Sequence, residues 1–172
     1  VAAGLIALGF ERGDRIGIWS PNNIEWVITQ FATAKAGLIL VNVNPAYRIG
    51  ELEYALNKVE CKGIIIAERF KTSDYVAMIE KLAPEIVRAK AGELQAEKLP
   101  HLKTVICISQ TTKPGMYRFD DVAGFGATKQ RDQLAQIQAE LQPDDAINIQ
   151  FTSGTTGMPK GATLTHFNII NN

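Results

Sequence analysis

Cysteine is scarce in this chain: Cys61 and Cys107 are the only two among 172 residues. They stand far apart and match no metal-ligand spacing. Cys107 lies in an apolar run, where a small buried hydrophobe is the natural reading. Net charge is absent as well. Lys plus Arg and Asp plus Glu each total 18, so no excess of either sign points to nucleic acid. No apolar run approaches the roughly 18 residues of a membrane-spanning helix. Internal repeats are missing too. What is present is 46% hydrophobic residues, enough for a real core at this length.

Short apolar runs alternate with helical patterns. Residues 1–8 read as the end of a helix already under way, closed by Gly9. Strands are expected at 16–19, 38–41, 63–67, 104–108 and 146–151. Between the first two, Asn22 is expected to cap a helix, with Glu25 completing a capping box. Ile24, Val27, Ile28, Phe31 and Ala34 are its expected apolar face, and Gly37 ends it. Leu52, Ala55, Leu56 and Val59 mark a second amphipathic helix. Residues 74–82 form a third, and Leu134, Ile137 and Leu141 stripe a fourth. The charged segment 84–100 is expected as an exposed loop or frayed helix. This alternation predicts an α/β fold, a largely parallel sheet flanked by helices.

The densest chemistry lies at residues 151–161, Phe-Thr-Ser-Gly-Thr-Thr-Gly-Met-Pro-Lys-Gly. Four hydroxyl side chains (Thr152, Ser153, Thr155, Thr156), three glycines (Gly154, Gly157, Gly161) and Lys160 fall in eleven positions. Glycine lets a backbone approach a ligand closely, and successive N–H groups can form an anion-binding nest. Hydroxyls add donors. Lysine adds a point charge suited to phosphate. Counted from Gly154, Lys160 falls where the lysine of a Walker loop belongs. Pro159, however, replaces the second glycine, and Gly161 replaces the magnesium-binding hydroxyl. The segment reads as a phosphate loop of another kind. The plain alternative is a solvated turn rich in small residues. A strand directly before the loop favours phosphate, because ligands of open α/β sheets sit beyond the carboxyl ends of strands.

Residues 152–161 resemble the phosphate-loop signature of the adenylate-forming superfamily. Upstream, Asn44-Pro45-Ala46-Tyr47-Arg48, residues 51–56 and residues 13–19 resemble its acyl-CoA synthetase branch. The likeness is greatest to a medium-chain, mitochondrial type, and a mitochondrial location follows from that likeness alone. The resemblance implies ATP-dependent conversion of a fatty acid to acyl-AMP and then acyl-CoA. ATP, Mg2+ and coenzyme A would take part. It also implies ATP binding by Thr152, Ser153, Gly154, Thr155, Thr156, Gly157, Met158, Pro159 and Lys160. The chain is then expected to be an internal piece, residues 1–172, of an AMP-binding N-terminal domain. It would end just after the loop and be inactive alone, and no catalytic residue is assigned. Two rivals stay open: another adenylate-former, luciferase-like or of the peptide-synthetase kind, and a non-catalytic nucleotide-binding or interaction module.

Other candidates carry less. His166 lacks a nearby partner acid or nucleophile, so helix-start packing or capping is the expectation. His101 follows a proline in a polar loop. Trp19, Trp26, Tyr47 and Tyr54 sit in helical or strand context, where core packing is the default. Asp120-Asp121 and Asp144-Asp145 lie beside helical patterns, where acids favour the helix dipole, and no metal is expected there. No oligomeric state is legible.

Overall fold

Strand side chains alternate between two hydrophobic clusters, and this period of two builds the layers. In β1 (Arg15–Trp19), Ile16 and Ile18 join one cluster and Trp19 the other. In β3 (Gly63–Ala67), Ile65 faces the first, while Ile64 and Ile66 face the second. Leu40 and Val41 of β2 (Ile39–Asn42) divide the same way. Strands apolar on both faces belong in a parallel sheet covered on both sides. The computed structural model describes residues 1–152 and 159–171, and it has that architecture.

The remaining large-sheet strands are β6 (Thr104–Ile108), β7 (Tyr117–Arg118), β8 (Ala146–Thr152) and β9 (Lys160–Thr165). Among the described residues the sheet has seven strands, in the order β7-β6-β3-β1-β2-β8-β9. Every neighbouring pair is parallel except β8 and β9, which are antiparallel. A small hairpin, β4 (Arg69–Phe70) with β5 (Ser73–Asp74), stands apart. One face is covered by α1 (Ala2–Ala7), α2 (Ile24–Lys35), α5 (Phe119–Val122) and α6 (Thr128–Glu140). The other is covered by α3 (Ile49–Lys58) and α4 (Tyr75–Leu82). The α/β expectation holds.

Several local expectations need correction. The cap of α2 is Asn23, not Asn22: its Oδ1 accepts from the Trp26 N–H at 2.8 Å. Glu25 therefore falls one position short of a capping box. The face of α2 is also turned. Ile24 and Phe31 are 65% and 66% exposed, and Val27 and Ile28 are exposed too. The buried face is Thr29, Ala32 and Thr33. Its threonine hydroxyls donate to the Glu25 and Thr29 carbonyls, at 2.7 and 2.9 Å. Small side chains whose only polar atom is bonded to the helix itself can be buried at little cost.

The segment 84–100 is not an exposed loop. It opens with a 3₁₀ turn at Pro84–Val87 and buries Ile86, Leu94, Ala96 and Leu99 in the core. Strand β9 was not expected at all. The helix after it was: α7 (His166–Ile170) is capped by Thr165, whose Oγ1 accepts from the Asn168 N–H at 3.2 Å. Both cysteines are free and buried, and burial pushes the Cys61 thiol up to about 12. No helix among the described residues is long and apolar enough to cross a membrane.

Two outcomes test this packing. A Cβ on Gly4 would overlap the carbonyl of Val122, pushing α1 off α5. Gly4→Ala should therefore cost about 1–3 kcal/mol as overpacking does, read as a lower melting temperature. The outward apolar face of α2 adjoins exposed Ile169 and Ile170, with a groove of about 370 Å³ between them. Contiguous apolar surface promotes association. Residues 1–172 alone should run larger than a monomer in gel filtration, and Phe31→Glu with Ile170→Glu should shift them toward monomer.

Candidate nucleotide site

β1, β2, β3, β6 and β8 run parallel, so their carboxyl ends share one edge of the sheet. That edge is where α/β sheets hold ligands. Its foundation is an aromatic pair. Trp19 ends β1 and Tyr75 opens α4; their rings stack with centroids 3.7 Å apart and planes 16° from parallel. Both are fully buried. Each also carries a donor out of the stack. Trp19 Nε1 donates to the Asn44 carbonyl at 3.1 Å, and Tyr75 Oη donates to the Pro45 carbonyl at 2.6 Å. Burial pushes the Tyr75 hydroxyl up to about 12, with Arg48 pulling the other way, so it stays a donor at neutral pH.

The loop held this way leads into α3. The Ala46 N–H bonds to Asn44 Oδ1 at 2.9 Å, and the Arg48 N–H bonds to Glu51 Oε2 at 3.0 Å. Tyr47 packs on the core, where burial first, then Glu51 and Tyr54, raise its hydroxyl pKa. Leu52, Ala55 and Leu56 bury the inner face of α3. Tyr54 lies off that stripe. Its hydroxyl donates to the carbonyl of Pro159, at 3.2 Å and 105 residues away in sequence.

The β8–β9 hairpin brings Thr152 opposite Lys160 as the last described rung of its ladder. Thr152 Oγ1 donates to the Lys160 carbonyl at 3.4 Å. Phe151, one residue earlier, packs against the core cluster. Lys160 is exposed and forms no ion pair with a described residue. Thr152, Pro159 and Lys160 are thus together at the mouth of the hairpin. Ser153, Gly154, Thr155, Thr156, Gly157 and Met158 lie outside the described residues. Sequence reasoning missed Tyr54 as a member of this neighbourhood. The signal for it is positional: an aromatic residue beside, not within, the apolar stripe of its helix.

Among the remaining candidates, Asp120, Asp121 and Asp145 have structural partners. Arg118 pairs with Asp120 and Asp121. Asp145 accepts from the Gln142 N–H, and that bond, with Arg12 beside it, holds its carboxyl below the usual range. His166 opens α7 and its backbone N–H donates to the Asp145 carbonyl, while its buried Nε2 has no partner among the described residues. The described residues contain no group of three His, Cys, Asp or Glu side chains able to hold a metal.

Known proteins give this geometry its context. The chain is 51% identical over 171 residues to the medium-chain acyl-CoA ligase ACSF2, mitochondrial, of Danio rerio, covering 99% of this chain and 28% of that protein. It is 50% identical over 172 residues to the Homo sapiens protein of the same name, with the same coverage. The chain thus spans little more than a quarter of these relatives. Among solved structures, the anthranilate CoA ligase AuaEII in complex with anthranoyl-AMP superposes with a TM-score of 0.72 at 25% identity. That match covers 96% of this chain and 27% of that one. Acetoacetyl-CoA synthetase from Streptomyces lividans superposes at 0.74 with 22% identity, over 98% of this chain and 24% of that one, a likeness of fold alone. The family model described as AMP-binding enzyme matches residues 1–172. With that match over its whole length, the chain belongs to the family of AMP-binding enzymes.

Proposed function

We propose that this chain is the phosphate-loop part of an N-terminal AMP-binding domain, in a longer enzyme that activates fatty acids. The observation that carries the reading is the hairpin mouth. Thr152 and Lys160 face each other at the carboxyl edge of the sheet, and between them the sequence supplies hydroxyls and glycines suited to phosphate. Half-identity to medium-chain, mitochondrial acyl-CoA ligases supports a medium-chain fatty acid as substrate and a mitochondrial location. Residues 153–158 enter on sequence alone.

The chemistry is a two-step ligation. A carboxylate is a poor acyl donor, so its oxygen first attacks the α-phosphorus of ATP and pyrophosphate leaves. The thiolate of coenzyme A then attacks the acyl carbon and AMP leaves. In the first step negative charge grows on the departing β- and γ-phosphates. Lys160 is exposed and has no ion pair among the described residues, so it can meet that charge, and a preorganised donor placed where charge develops lowers the barrier. Glycines at 154 and 157 in the sequence would let backbone N–H groups add donors of the same kind. Magnesium, when bound, screens phosphate charge.

Fatty-acid-dependent exchange of pyrophosphate into ATP by the full-length protein is the direct test; its absence would overturn the reading. Lys160→Ala in that protein should slow the exchange about ten- to a hundredfold, the loss of one charge-assisted hydrogen bond. Thioester formation from supplied acyl-AMP should change far less, because no β- or γ-phosphate remains. Equal slowing of both steps would mean that Lys160 serves the fold or the whole site.

A further inference from the structure

From the contact between α3 and the hairpin, we infer that Tyr54 is a positioning residue for Lys160. This rests on the phosphate-loop reading and extends it to a residue outside the loop. The argument starts from the peptide unit. The carbonyl of Pro159 and the N–H of Lys160 belong to one rigid plane. The hydroxyl of Tyr54 holds that carbonyl at 3.2 Å, so it fixes the plane from which Lys160 departs. On the other side of Lys160, its own carbonyl accepts from Thr152 Oγ1 at 3.4 Å. Two hydroxyl groups therefore bracket the backbone of this one residue, one from the partner strand and one from a helix.

The residue types suit the task. Proline has no N–H, so its carbonyl is the only backbone group by which it can be held. Pro159 lies just outside the last described rung, Thr152 opposite Lys160, where the ladder no longer holds it. Tyr54 reaches the carbonyl from a firm base. Leu52, Ala55 and Leu56 anchor its helix in the core, and the Arg48–Glu51 bond fixes the first turn. The Tyr54 ring is itself half-buried. A tyrosine on a core-packed helix has few alternative rotamers, so the bond costs little ordering entropy. Its effect on chemistry is indirect: the side chain of Lys160 starts from a fixed backbone when it meets phosphate.

The test is a double-mutant cycle in the full-length enzyme. Tyr54→Phe keeps the ring and removes only the hydroxyl. It should slow fatty-acid-dependent pyrophosphate exchange about three- to tenfold, the range of one neutral hydrogen bond. Thioester formation from acyl-AMP and the melting temperature should stay near wild type. In a Lys160→Ala background the same change should have almost no further effect, because the group being positioned is gone. Three results would overturn the inference: unchanged exchange, parallel loss of both half-reactions with a lower melting temperature, or full additivity with Lys160→Ala. If Lys160→Ala itself leaves exchange untouched, the phosphate role of Lys160 fails. A slowed exchange with Lys160→Ala and a normal one with Tyr54→Phe would sink the Tyr54 assignment alone.

Discussion

The carboxyl edge of this sheet depends on the stack of Trp19 on Tyr75. Stacked aromatic pairs contribute about 0.5–1.5 kcal/mol beyond their burial, but here their polar tips matter as much. A buried indole N–H and a buried phenol each need an acceptor. The two acceptors are successive carbonyls, Asn44 and Pro45. Satisfying the pair therefore pins the loop after β2 in one conformation. That loop sets where α3 begins, and α3 carries Tyr54 to the hairpin. The line from core to candidate site runs from Trp19 and Tyr75 through the Asn44 and Pro45 carbonyls to α3, and from Tyr54 to the Pro159 carbonyl.

The two halves of the sheet serve different purposes. Ile64, Ile65 and Ile66 of β3 are fully buried, as are Val105, Ile106 and Cys107 of β6. At the other end β9 is largely exposed, and the outer half of β8 with it. Apparatus for a ligand tends to sit on exposed segments positioned by a rigid scaffold. Here the exposed hairpin is joined to the platform by the β2–β8 pairing and by the hydroxyl of Tyr54.

The central strands were legible because continuous β-branched runs allow few other structures. Residues 63–67 and 104–108 are strands with the bounds their apolar runs suggested. The face of α2 was not legible. Periodicity shows that Ile24, Val27, Ile28 and Phe31 share a side, but not which side meets the sheet. The small residues Thr29, Ala32 and Thr33 took that position. Segment 84–100 hid its core residues because Leu94, Ala96 and Leu99 follow neither a strand nor a helix period. Strand β9 reads Lys-Gly-Ala-Thr-Leu-Thr, with almost no apolar alternation, and it is largely exposed at the edge of the sheet formed by the described residues. The signature at 152–160 was legible as chemistry. Its geometry was not, because the tie from Tyr54 joins residues a hundred positions apart and no local pattern encodes it.

The register of β8 on β9 carries one extra residue on β8, between Ala146 and Asn148. Side chains of a strand alternate in phase, so sliding β9 by one position would turn Lys160 to the opposite face of the sheet. A bulge resists such sliding, because the unpaired residue fits at one place only. Here that residue is Ile147, whose side chain is buried, so a slip would also have to pull an isoleucine out of its packing. The bulge thus works as a keyed joint near one end of the hairpin. It sets, from five rungs away, the side of the sheet on which a single positive charge is displayed.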